Sequence, residues 1–254
     1  MTAERSARAS IRPTMSAITP PEGVTGTLTV QLREIKLVTE RLMMVLGVPP
    51  GAVPGARQFV VAGCAGDPER TLEDLASLTR PEPRPAFRAP RFTGEGRTVT
   101  VDCAGTSLLL SGHLLVHHLA ARAARTGPVE ARVTRAGHPS ALRTAARVLQ
   151  GYRIEARVVD GSTLHVPPPD GTPDVAAAWT RTEAALLRGV EIAASTWWQL
   201  YFTSNRALSV DTALSRYHTG DTLRRVTADG ERFIRQNDPL GRESHRREIF
   251  IDVS

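Results

Sequence analysis

The chain has 254 residues, 41% of them hydrophobic and 23% charged, enough to bury a core of its own. Its 32 basic residues against 26 acidic ones leave a net charge of +6, but the arginines are scattered and aromatic residues are few, which argues against a nucleic-acid partner and for small anionic ligands. No apolar run approaches the ~20 residues of a membrane span, the start lacks an apolar signal core, and two cysteines suit a reduced compartment, so a cytoplasmic protein without membrane contact is expected.

The polar start reads as a disordered tail over residues 1–21. "TGTLTVQL" (25–32) alternates as a strand and leads into a helical stretch from Lys36 to Leu46. "RQFVVAG" (57–63) is expected as a second strand. "DPERTLEDLASL" (67–78) is a helix with Asp67 as N-cap, Pro68 in the first turn, and Leu72, Leu75 and Leu78 on one face. After a Pro-rich bend, "RFTGEG" and "RTVTVDC" read as a strand pair. A helix over 106–127 then ends at Gly127, followed by a strand at 128–134 and a helix at 138–151. "RIEARVV" and "TLHVP" flank an Asp160–Gly161 turn and read as a hairpin.

Beyond the linker "PPPDGTPD" (167–174), a third round begins with "GVEIAAS" (189–195) as a strand and "TWWQLYFTSNRAL" (196–208) as a helix. A further helix is expected around 219–227, and "ERFIRQ" and "REIFIDV" as the last strands. The recurring order predicts an α/β fold, a single domain over 22–254 built from three pseudo-repeated βαβαββ units, about 22–103, 104–168 and 189–254.

This repeat, with the residues at its helix starts, resembles the N-terminal half of the enolpyruvyl transferase family, and EPSP synthase (3-phosphoshikimate 1-carboxyvinyltransferase) in particular. "GTLTVQLREIKLVTERLMM" is similar to the family's opening G-T-x-x-V-P-G-[SD]-K-S-[IV]-[ST]-[NH]-R-A-L, with two residues extra. "DCAGTSLLLSGHLL" looks like N-x-G-T-x-x-R-x-L, and "VEIAASTWWQLYF" like the strand leading into S-S-Q-[FY]. "SRYHTGDTL" is similar to S-[KR]-P-Y-x-x-x-T-L.

The resemblance implies roles at individual positions. Lys36 falls on the family's lysine near the reacting hydroxyl, and Arg41 on the arginine that grips the substrate carboxylate. Gly105 and Thr106 match helix-start positions near the phosphoenolpyruvate carboxylate. Trp197 and Trp198 stand where the phosphate-binding serine pair belongs, while the adjacent glutamine survives as Gln199. Ser215 and Arg216 match the next substrate-contact segment, and His218 replaces its tyrosine. The phosphoenolpyruvate arginine appears as Ser140, and the family's second domain has no counterpart here.

Each position also has a plainer reading. Lys36 is the only lysine of the chain; with Arg41 it either holds an anion at a helix start or lies on a solvated face beside Glu34 and Glu40. His113 and His117, four apart, either face a metal ion or are ordinary surface or packed histidines beside His118. Cys64 and Cys103 are small packed residues or thiols at helix starts. Trp197, Trp198 and Tyr201 form a ligand wall or an interface. His218 is a proton shuttle or a loop histidine.

Substrate-side anchors thus remain (Lys36, Arg41, Gln199, Ser215), while the donor-side and phosphate-binding residues are gone. The expected function is an EPSP-synthase-like, cofactor-free and metal-free dehydratase acting on a shikimate-type cyclic hydroxy-carboxylic acid. Lys36 or His218 would serve as acid or base, with Arg41, Gly105, Thr106, Trp198, Gln199, Ser215 and Arg216 around the substrate. Two alternatives stand beside it: half of a carboxyvinyltransferase completed by a separately encoded second half or by homo-oligomerisation, and a non-catalytic binding or scaffolding subunit.

Overall fold

The computed structural model describes residues 24–80 and 87–207 with their side chains, and the backbone of 222–227, 230–235 and 249–250. In chain order, strand β1 (Thr27–Val30) leads into helix α1 (Leu32–Val45), α2 (Val53–Cys64) and α3 (Pro68–Ser77), then strands β2 (Arg91–Thr93) and β3 (Thr98–Asp102). Helix α4 (Leu108–Thr126), β4 (Val129–Thr134), α5 (Leu142–Leu149), β5 (Arg157–Val158) and β6 (Thr163–Val166) follow. Helix α6 (Val175–Ala185), β7 (Val190–Ala193) and α7 (Ala194–Ser204) close the first of two compact units, residues 18–207. No helix among the described residues is long and apolar enough to cross a membrane.

The fold is mixed α/β around a mixed five-stranded sheet of order β2-β3-β4-β6-β5. Only β3 and β4 are parallel, with Val99 opposite Ala131 and Val101 opposite Val133, because the α4 crossover returns the chain in the same direction. The tight turn at Gly161 (φ +79°) makes β5 and β6 antiparallel. The run β3–α4–β4–α5–β5–β6 has the order βαβαββ, whereas the expected first unit, 22–103, has three helices between β1 and β2. β1 and β7 form a separate antiparallel pair, Val30 opposite Val190.

Helix α4 sits at the centre of the core, with Leu108, Leu109, Leu115 and Leu119 fully buried. Burying each such side chain stabilises the fold by roughly 2 kcal/mol. Helices α2 and α4 approach closely because each carries a glycine under a ring of the other. A Cβ on Gly112 would come within 2.4 Å of the Phe59 ring, and one on Gly55 within 2.5 Å of His113.

Three local expectations are corrected. The run 57–63, expected as a strand, is the second half of α2, whose residues Phe59–Cys64 are all buried. A helix buried on every side has no polar stripe, so its sequence looks like that of a buried strand. The stretch read as a linker into the third round is followed by the unexpected helix α6, capped by the Asp174 carboxylate, which accepts from the Ala177 N–H at 3.1 Å. None of its residues is buried, so no apolar stripe marks it. The third correction falls in the second unit, which includes 208–254: the helix expected around 219–227 is strand β8 (Thr222–Thr227), antiparallel to β9 (Gly230–Arg235), which pairs in turn with β10 (Ile249–Phe250). Thr222, Val226 and Thr227 are β-branched, and the pairing with β9 decides the segment.

Candidate functional site

The second turn of α1 places Lys36 half-buried on the side of the helix that faces α6. Its Nζ lies 2.5 Å from Glu183 Oε1 and 5.9 Å from the centre of the Trp179 ring. The ammonium is thus occupied by an ion pair and a cation–π contact, both to α6. Arg41, on the same helix, donates from Nη1 to Asn205 Oδ1 at 3.5 Å, just past α7. Gln199 of α7 donates its amide to Ala76 O at 2.9 Å and Thr79 Oγ1 at 2.8 Å, joining α7 to the end of α3. Trp198, partly buried, stacks at 5.6 Å on Phe202 and meets Tyr201 edge-on, while Trp197 is in the core.

Gly105 and Thr106 lie elsewhere, in the turn from β3 into α4. Gly105 takes φ +85° and donates its N–H to Arg135 O at 2.7 Å. Buried Thr106 accepts from the Arg88 N–H at 3.1 Å. The structure therefore sets Lys36, Arg41, Trp198 and Gln199 on the packed helices α1 and α7, and Gly105 and Thr106 beyond the C-terminal end of the interior strand β3. Ser215, Arg216 and His218 lie outside the described residues.

The thiols of Cys64 and Cys103 are buried and pushed up to about 12 and about 11 by desolvation, which leaves them protonated and inert at neutral pH. His113 and His117 do share a side of α4, but no cluster of three metal-ligating side chains occurs among the described residues.

A cleft of about 780 Å³ opens between α3 and α5, and none of its charged residues is among the candidate site residues read from the sequence. One wall is α3, whose N-cap Asp67 accepts from the Arg70 N–H at 3.2 Å; the other is the tight turn Pro139–Ala141 running into α5. Asp74, almost buried, accepts from Ser140 Oγ at 2.8 Å and from Arg70 Nε at 3.2 Å. Across the mouth stands the β5–β6 turn with Asp160, whose carboxyl is held below the usual range chiefly by the Ser162 N–H.

Behind the cleft the polar network continues. Ser77 Oγ donates to Asp74 O at 2.7 Å and so accepts from His138 Nε2, 2.8 Å away. Ser107 Oγ, which already accepts from the Leu109 N–H, donates to His138 Nδ1 at 2.9 Å. These partners assign a neutral His138 protonated on Nε2. Burial lowers its pKa, partly opposed by Asp74, in agreement with that state. The imidazole, at φ +52°, ties the turn before α5 to the N-termini of α4 and to α3.

Three arginines reach the cleft. Arg70 is paired with Asp74, and Arg147 donates to Ala62 O at 3.3 Å with its guanidinium packed over Gly66. Arg143, exposed on α5 and part of the cleft lining, makes no bond to another described residue, so none of these residues occupies its five donors. The arrangement offers a fork for a carboxylate beside carboxylates that can accept from hydroxyls. Arg143, Asp74 and Arg70 carry no local sequence signal, since α3 and α5 are brought together only by tertiary packing. Compared with known proteins, the chain matches no family model, no curated protein and no solved structure.

Proposed function

We propose that this chain binds a small polyhydroxylated carboxylic acid of the shikimate type in the cleft between α3 and α5, and removes water from it. The observation that carries the reading is Arg143, the cleft arginine with its guanidinium free, set beside the Asp74–Ser140 pair. Arg143 takes the ligand carboxylate bidentately; Asp67 and Asp160 accept from ring hydroxyls. Lys36 is not assigned a part, because its ammonium is already paired with Glu183.

Loss of water breaks one C–H and one C–O bond and forms a C=C bond. The Asp74 carboxylate takes the proton from carbon and returns it to the departing hydroxyl, which leaves as water, so no net proton or cofactor is consumed. The test is a proton NMR time course with shikimate. The ring signals next to the lost hydroxyl disappear with the wild-type protein and persist with Asp74→Asn, while Arg143→Ala raises the half-saturating concentration by about tenfold or more. Unchanged shikimate signals with the wild type overturn the elimination; turnover undisturbed in both variants overturns the site.

A second reading rests on a different observation. The Trp198–Tyr201–Phe202 cluster of α7 is only partly buried, and α1, packed beside it, exposes Leu37 and Met44. A non-catalytic subunit that docks a second copy through this face would use those rings as anchors. Light scattering of wild type and Trp198→Ala separates the readings: a dimer that the substitution dissociates, with no shikimate turnover, favours the binding subunit.

A further inference from the structure

A second cavity, of about 380 Å³, lies between α2, α4, α6 and the turn after α5, and the reading above leaves it unused. Its walls are largely apolar, formed by Phe59, Val116, Val148 and the ring of Trp179. At that size it accommodates a molecule of one or two rings.

His113 is set into this apolar lining with only 7% of its surface exposed, and neither Nδ1 nor Nε2 has a hydrogen-bond partner. The ring cannot retreat toward α2, because it already rests on Gly55 at a distance where a Cβ would overlap it. Desolvation pushes its pKa down to about 4, so at neutral pH it presents one N–H and one bare nitrogen. A buried polar group left unpaired is costly, and such groups are rare in folded proteins.

The other polar groups of the lining are either engaged or, like Gln58 and Arg147, on exposed residues. His117 Nδ1 is 2.8 Å from the Tyr152 hydroxyl, Thr182 Oγ1 donates to Ala178 O, and Arg147 is held on Ala62. His113 is therefore the group through which the cavity would recognise a polar atom. We propose that the cavity binds a small phenol, its ring against Phe59, Val116 and Trp179 and its hydroxyl on the bare nitrogen of His113. The one cation of the lining, Arg147, is exposed and held on Ala62 O, so a neutral aromatic ring with one hydroxyl matches the apolar walls and the buried, unpaired nitrogen.

The wall that admits the ligand is α6. None of its residues is buried, and it is held by Asp174 N–H to Gly151 O at 3.1 Å and by the Lys36–Glu183 ion pair.

The test compares p-cresol with toluene, which differ by one hydroxyl, in titrations followed by tryptophan fluorescence and by the ¹⁵N shifts of the His113 ring. The expected result is p-cresol binding about tenfold or more tighter than toluene, with a His113 ring-nitrogen shift that toluene does not produce. His113→Phe keeps an aromatic ring over Gly55 and abolishes the preference. Should that variant misfold, the wild-type ring shift decides alone. Equal affinities, no binding of either compound at millimolar concentration, a preference that survives in a folded His113→Phe protein, or an unmoved His113 ring overturns the proposal.

Discussion

The cleft between α3 and α5 and the cavity under α6 both hold a partly or wholly buried histidine, and they treat it in opposite ways. His138, behind the cleft, is bonded at both nitrogens, and its partners continue to Asp74, Ser140 and Arg70. His113, in the cavity wall, is bonded at neither. In the cleft region the buried polar groups are bonded, and Arg143 alone of the three cleft arginines bonds to no other described residue. In the cavity the chain leaves the buried group itself unsatisfied, at a cost in stability.

The sharpest way to break this comparison is to titrate it. The folded-state pKa of His113 lies near 4, below the usual 6.5. Above pH 6.5 both folded and unfolded chains keep it neutral, and it costs nothing extra. As pH falls from 6.5 to 4, the unfolded chain takes up a proton that the folded one refuses, so stability is lost, by about 3 kcal/mol in all. The expected outcome is a melting temperature that falls more steeply over this range in the wild type than in His113→Leu. Parallel curves for the two proteins would show that His113 is not buried unpaired.

A smaller effect is expected on the bonded side. Asp74→Ala removes the acceptor of Ser140 and Arg70, and with half of the network facing the open cleft it should cost about 2 kcal/mol. Denaturant unfolding measures this, and Asp74→Asn, which keeps an acceptor oxygen for Ser140, should recover about half of it. Equal losses in the two variants would mean that the bond to Ser140 contributes little.

The smallest expected effect concerns α6. Replacing Lys36 by Met removes a half-exposed ion pair and should cost under about 1 kcal/mol of global stability. Hydrogen exchange should nevertheless quicken along Val175–Ala185 and stay unchanged along α4, because the ion pair fastens α6 specifically. Unaltered exchange in α6 would remove Lys36 from its role as the fastening of the cavity wall.

Much of the local structure was legible from residue order. Asp67 followed by Pro68 marks the start of α3, and its carboxylate does accept from the Arg70 N–H. The hairpin around Gly161 and the period-2 strands β3 and β4 also stand where the sequence places them. The segments that misled are those whose surroundings set the pattern: the second half of α2, where every residue from Phe59 to Cys64 is buried; α6, where no residue is fully buried; and β8, formed by pairing with β9. Periodicity reports a boundary between core and water, and a run buried on all sides, like the second half of α2, has no such boundary within its own length.

For the site, the sequence by itself picked out Lys36 as the single lysine and His113 and His117 as neighbours on one helix. Only the tertiary structure decided that Lys36 meets Glu183, 147 residues further along the chain, and that His113 faces an apolar cavity closed by α6. It likewise decided that Asp74 of α3 and Ser140 before α5, 66 residues apart, share a hydrogen bond in one cleft. Capping, turn chemistry and alternation act over a few residues and can be read from the order of side chains. Charge pairing, desolvation and the loss of a hydrogen-bond partner depend on what packs against a group, and that is settled only when distant helices come together.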